Sequence, residues 1–176
     1  DIFSFTFVRR PADRLLSTYR FWKSHKDAYI DSKPEELFTC RLARDLKFED
    51  FIRDERTLEL IDNKLVRTFT NLEVGNQRIK REHFENALDN LRRLNFVGFY
   101  ENFEASCNAL FALLHLDIPE IRHENNLDAR VLAGDSVLEW SPRVDRHELD
   151  LASREVLDSL NLFDELLYSC LLDGKN

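Results

Sequence analysis

Apolar and polar positions alternate from the start of the chain. Phe3, Phe5 and Phe7 interleave with Ser4, Thr6 and Val8, and this aromatic and β-branched run at period two predicts a strand over Ile2–Val8. Arg9-Arg10-Pro11 ends it, with Pro11 well placed in the first turn of a helix. Leu15, Tyr19 and Trp22 then recur on one helical face, so the first 25 residues read as strand, tight turn and helix. Lys33-Pro34-Glu35-Glu36 predicts a further helix start, and Phe48, Phe51 and Ile52 give a short apolar face. Residues 71–77 lack periodicity and contain Gly75, so a loop is expected there. Phe84, Ala87, Leu88, Leu91 and Leu94 mark the clearest amphipathic helix, over residues 80–94. Phe96–Tyr100 follows as a short buried strand, and Phe103, Cys107, Leu110, Phe111 and Leu114 as another helix. From 118 to 148 the pattern is polar and broken by Pro119, the Asn125-Asn126 pair, Gly134 and Ser141-Pro142, which predicts ordered loop and short helix. Val156, Leu160, Phe163, Leu167 and Leu171 share one face of a closing helix over 149–172. Two buried strands among many helices indicate an α/β sheet with helical cover.

Composition bounds this picture. At 176 residues, 43% hydrophobic and 33% charged, the chain is one globular domain in size and class. No apolar run approaches a membrane span. The sequence begins Asp1-Ile2-Phe3 and contains no Met, so residue 1 is not expected to be the native start. Cys40, Cys107 and Cys170 are odd in number and far apart, and they form no metal-ligand cluster; Cys107 and Cys170 read as buried thiols. With no Asn-x-Ser/Thr acceptor either, the sequence leans toward a reducing, cytoplasmic compartment.

The net charge of −8 argues against a general nucleic-acid binder, yet it is unevenly spread. Residues 1–26 carry a local +4 from Arg9, Arg10, Arg14, Arg20, Lys23 and Lys26 against Asp1 and Asp13, and the remaining residues carry −12. A basic island in an acidic protein points to a local anion site; a helix with a solvated basic face accounts for the same charges. The strand–turn–helix layout is a generic one for holding a phosphate. Open α/β sheets bind ligands at the carboxyl ends of their strands, and a helix N-terminus offers unpaired N–H groups. Arg9 supplies a planar, permanently charged fork and Ser17 a hydroxyl. Ser17 lies beyond the first helical turn, so an anion touching both sits beside the helix rather than on its tip.

The wording of this segment is more specific than its layout. Phe5-Thr6-Phe7-Val8-Arg9-Arg10-Pro11-Ala12-Asp13-Arg14-Leu15-Leu16-Ser17-Thr18-Tyr19 resembles the 3′-phosphate-binding segment of sulfotransferases that use 3′-phosphoadenosine 5′-phosphosulfate (PAPS). The family form is Phe-x-Arg-Asp-Pro, then Arg, a hydrophobic pair, Ser, any residue and Tyr. The likeness is closest to the Golgi-type carbohydrate sulfotransferases and their bacterial relatives. Arg10 departs from it, since the family usually has Asp there. Three later segments are similar in order: Asp62-Asn63-Lys64-Leu65-Val66-Arg67 to an Asn-x-x-x-Arg stretch, residues 90–103 to a late helix, strand and Glu-containing turn, and Asn161-Leu162-Phe163-Asp164-Glu165-Leu166-Leu167-Tyr168 to a closing Asn-x-x-Asp-x-x-Leu-Tyr helix.

The resemblance implies an α/β fold with a P-loop NTPase-like parallel sheet under extensive helical cover, as a single domain over residues 1–176. It implies sulfuryl transfer from PAPS to an acceptor hydroxyl or amine, on a carbohydrate, with Arg9 and Ser17 holding the 3′-phosphate of the donor and no metal. The family's first strand, its P-loop-like grip on the 5′-phosphosulfate and its catalytic base precede the segment that opens this chain. No GxxxxGK[ST] loop occurs in the sequence, so all three are expected upstream of Asp1. A P-loop kinase and a non-catalytic helical interaction module are the rival readings.

Several residues stay open to two roles. Arg14 fits a phosphate contact or a pairing with Asp13. Lys64 and Arg67 fit a ligand cleft or a solvated helix face. Glu101 fits a substrate contact or favourable charge at a helix start. Tyr19 and Trp22 read as core ahead of cofactor stacking. None of His25, His83, His115, His123 and His147 shows metal spacing, and none is assigned as a base.

Overall fold

The computed structural model describes residues 2–118 and 126–174. Strand β1 (Phe5–Val8) passes through Arg9 and Arg10 into helix α1 (Pro11–Lys23). Five short helices follow: α2 (Asp27–Ser32), α3 (Phe38–Asp45), α4 (Phe48–Phe51), α5 (Leu58–Ile61) and α6 (Lys64–Phe69). After a loop come α7 (Arg81–Arg92), β2 (Phe96–Phe99), a 3-10 turn over Tyr100–Asn102 and α8 (Phe103–Leu113). The chain closes through α9 (Leu127–Leu132), α10 (Leu151–Leu160) and α11 (Leu162–Asp173).

These elements fall into two compact units. The first comprises Asp1–Asp13, Glu59–Ile121 and Asp158–Asn176; the second comprises Arg14–Leu58 and Arg122–Leu157. In the first unit β1 and β2 pair in parallel, Val8 opposite Phe99, and these are the strands of its sheet among the described residues. Its core joins Val8 and Phe99 to Leu65 and Val66 of α6, Phe84, Leu88 and Leu91 of α7, and Leu167, Tyr168 and Leu171 of α11. In the second unit α1 buries Leu15 and Tyr19, and the Tyr19 ring lies 5.1 Å from those of both Phe48 and Phe51.

The parallel pair and the helical cover agree with the pattern read from the sequence. Three boundaries differ. The strand expected from Ile2 starts at Phe5, because its partner starts at Phe96 and the Asn95 side chain takes the Ser4 N–H at 2.9 Å. Ile2 and Phe5 are exposed instead of covered on both faces. The helix expected from Lys33 begins at Phe38 after a run of turns, and α2 precedes it where no element was read. The closing helix breaks at Asn161, where Asn63, in the left-handed region at φ 45°, donates its N–H to Leu160 and caps the next helix. Asn is among the few residues that enter this region at low cost. Of the polar stretch 118–148, Pro119 and Asn125 lie outside the described residues, and α9 follows an Asn126 cap.

Gly98 of β2 sits opposite Phe7 of β1. A Cβ there would lie 2.6 Å and 2.7 Å from two edge carbons of the Phe7 ring. That ring is itself packed against Phe96 and Phe103. Gly98→Ala is therefore expected to destabilise the fold by about 1–3 kcal/mol through overpacking, read as a lower urea midpoint with unchanged slope.

Candidate functional site

The parallel register brings the carboxyl ends of both strands together in the first unit. Val8 pairs with Phe99, so Arg9 and Arg10 leave β1 beside Tyr100 and Glu101 leaving β2. The Arg9 guanidinium lies over the Tyr100 ring, 4.9 Å from its centroid, and has no carboxylate partner among the described residues. Tyr100 is half exposed, so this pair faces solvent at the strand end.

Arg10 is fixed by its backbone. Its N–H donates to Oε1 of Glu101 at 2.7 Å, and Oε2 of the same carboxylate accepts from the Tyr168 hydroxyl at 2.6 Å. Burial works against ionisation of Glu101, but the Tyr168 hydroxyl and the Arg10 N–H outweigh it and hold the carboxyl below its ordinary value. The Tyr168 phenol moves up, from burial first and from the Glu101 carboxylate second. Ala12 N–H points to Oε1 of Glu165 at 3.4 Å, and Pro11 has no N–H. The Arg10 and Ala12 N–H groups at the start of α1 thus already face carboxylates.

Ser17 belongs to the second unit, two turns along α1. It is exposed, and its hydroxyl has no hydrogen-bond partner among the described residues. It opens on a cleft of about 320 Å³ lined also by Thr18, Arg20, Phe21, Leu127 and Arg130. The other polar groups of that cleft are engaged. Thr18 donates to the Arg14 carbonyl at 2.8 Å, Arg20 pairs with Asp128, and Arg130 pairs with Asp135 at 2.6 Å. Arg9 lies in one unit and Ser17 in the other, each with donors to spare.

The other residues singled out in the sequence turn out to organise the framework. Asp62 is buried and accepts from Nη2 of Arg67 at 3.0 Å, Nη1 of Arg78 at 2.9 Å and the Ile79 N–H at 3.2 Å. Arg67 is therefore neither a cleft residue nor a solvated one; its side chain is 6% exposed, and it also donates to the Gly75 carbonyl. Asn63 and Asp164 cap each other's helices. Oδ1 of Asn63 accepts from Phe163 and Asp164 N–H, and the Asp164 carboxylate accepts from Leu65 and Val66 N–H at 2.8 Å each. Tyr19 is core, as read, and burial, with Glu49 and Asp50 nearby, pushes its phenol up to about 12. Trp22 packs on Phe51. His83 accepts the Lys80 N–H through Nδ1, and His25 faces the Phe21 and Trp22 carbonyls. His123 lies outside the described residues. Sequence reading missed Tyr100 as the partner of Arg9. The signal was its place directly after a strand in register with β1.

Among the described residues no group of His, Cys, Asp and Glu is arranged to hold a metal ion, and no helix is long and apolar enough to cross a membrane. A family model described as the sulfotransferase family matches residues 1–169. No curated protein and no solved structure gives a match to the chain.

Proposed function

The chain belongs to the sulfotransferase family, and from that premise we propose that it moves a sulfuryl group from PAPS to a hydroxyl or amine of a carbohydrate acceptor. The observation that carries this reading is Arg9, an arginine at the carboxyl end of a parallel strand, held over the Tyr100 ring with no competing carboxylate among the described residues. Arg9 and the Ser17 hydroxyl are assigned to the 3′-phosphate, beside α1 and away from the carboxylates at its tip. Bound there, PAPS supplies a sulfuryl group on a good leaving group, adenosine 3′,5′-bisphosphate. The protein's part is positioning: Arg9 and Ser17 anchor the end of the nucleotide remote from the reacting sulfur, so that binding energy orients the transfer. We read the two units as one sulfotransferase domain with a P-loop-like parallel sheet, and assign the catalytic base to none of the described residues.

The test is acceptor-dependent release of adenosine 3′,5′-bisphosphate from PAPS, measured over a panel of oligosaccharides. Turnover that needs a carbohydrate is expected of the full-length native protein. Phosphoryl transfer from ATP with no use of PAPS would replace this reading by a kinase. Within the site, Ser17→Ala removes one neutral donor, expected to cost about 0.5–1.5 kcal/mol of bisphosphate binding, roughly two- to tenfold in Kd, measured by calorimetry.

A further inference from the structure

Glu101 joins three pieces of the first unit at one point. One carboxylate oxygen takes the Arg10 N–H as the chain leaves β1, and the other takes the Tyr168 hydroxyl from α11. Glu101 itself follows Tyr100, the ring on which Arg9 rests. The Tyr168 ring is locked by packing edge-on against Phe99 at 5.3 Å, and it lies in the core beside Val8. The turn that carries Arg9 is thus clamped on both sides. Arg10 is tied to the residue after Tyr100, and that residue is tied to a buried tyrosine.

A surface carboxylate near an anion site would ordinarily weaken anion binding. Here both of its oxygens are already engaged in short bonds with the framework, so its effect on the site runs through geometry. We infer that Glu101 and Tyr168 are positioning residues for the donor nucleotide: they hold the Arg9–Arg10 turn so that the guanidinium over Tyr100 selects nucleotides bearing a 3′-phosphate. This rests on the assignment of Arg9 to that phosphate, and it adds what fixes the arginine in place.

The experiment compares adenosine 3′,5′-bisphosphate with adenosine 5′-monophosphate on the whole chain, taking the ratio of their Kd values as selectivity. A group that merely stabilised the fold would weaken both ligands alike or lower the melting temperature alone. Glu101→Ala is expected to reduce selectivity by about tenfold, since small misplacement of a binding group carries losses of this order, while the monophosphate Kd stays within about twofold. Tyr168→Phe, which keeps the packed ring and removes only the hydroxyl, is expected to move selectivity the same way by a few-fold, and it serves if Glu101→Ala does not fold. In an Arg9→Ala background, Glu101→Ala should change selectivity no further, because the two act through one contact. Selective wild-type binding with selectivity intact in Glu101→Ala or, where that variant does not fold, in Tyr168→Phe would overturn the inference and leave the Arg9 assignment standing. A wild type that does not distinguish the two nucleotides would overturn both.

Discussion

Arg9→Ala is expected to weaken binding of adenosine 3′,5′-bisphosphate by about ten- to hundredfold, with binding of the 5′-monophosphate almost unchanged. The magnitude follows from a charge-assisted hydrogen bond, which contributes about 1.5–3 kcal/mol, where each 1.4 kcal/mol is about tenfold in Kd. The direction follows from the environment. Arg9 has no ion pair among the described residues to lose on binding, and its ring partner Tyr100 is half exposed. The cation–π contact contributes only about 0.5–1 kcal/mol at such a site, so removing Arg9 should cost little in stability. Arg9→Lys separates charge from shape. Lysine keeps the cation but lacks the fork and the planar face, so it should recover part of the affinity and little of the selectivity. Calorimetry with both nucleotides decides, and equal affinity of the wild type for the two would remove the basis of the assignment.

The parts legible in the sequence are those whose causes are local. Alternation at Phe3–Val8, Pro11 at a helix start and the face Leu15–Tyr19 each need only neighbouring residues; β1 forms inside the expected strand, from Phe5 onward, and α1 forms at the expected helix. The spacing of Phe84, Ala87, Leu88 and Leu91 likewise places α7 within two residues of its bounds. What was not legible depends on residues far apart in the chain. The break between α10 and α11 is set by Asn63, some hundred residues earlier, and no local signal in Leu160-Asn161-Leu162 requires it. Arg67 looked like a surface or cleft cation because helical period alone does not reveal a buried Asp62 or the loop carbonyls it meets. The occupied donors at the start of α1 were hidden for the same reason, since Glu101 and Glu165 reach them only once β2 and α11 are in place. Motif wording singled these residues out but did not divide them between ligand contact and framework.

That division predicts the largest stability effect in the chain, at Asp62. Its side chain is 1% exposed, and its two oxygens receive the guanidinium of Arg67, the guanidinium of Arg78 and the Ile79 N–H. Arg67 is nearly as buried, so Asp62→Ala leaves a guanidinium in the interior facing carbonyl oxygens alone. Breaking a buried pair from one side costs about 3–5 kcal/mol, a large part of the roughly 5–15 kcal/mol that holds a domain folded. Arg78→Ala is the contrast: it meets the same carboxylate, but its side chain is 58% exposed. As a surface pair it should cost only about 0–1 kcal/mol. Asp62→Asn keeps the shape and one acceptor, and should fall between the two. Urea unfolding of the three variants measures the series. A loss for Asp62→Ala no larger than that for Arg78→Ala would mean that Arg67 finds full compensation from the Asp62 and Gly75 backbone carbonyls. Nucleotide selectivity should stay at the wild-type value in the folded fraction of each variant, because neither Asp62 nor Arg78 contacts the Arg9 turn.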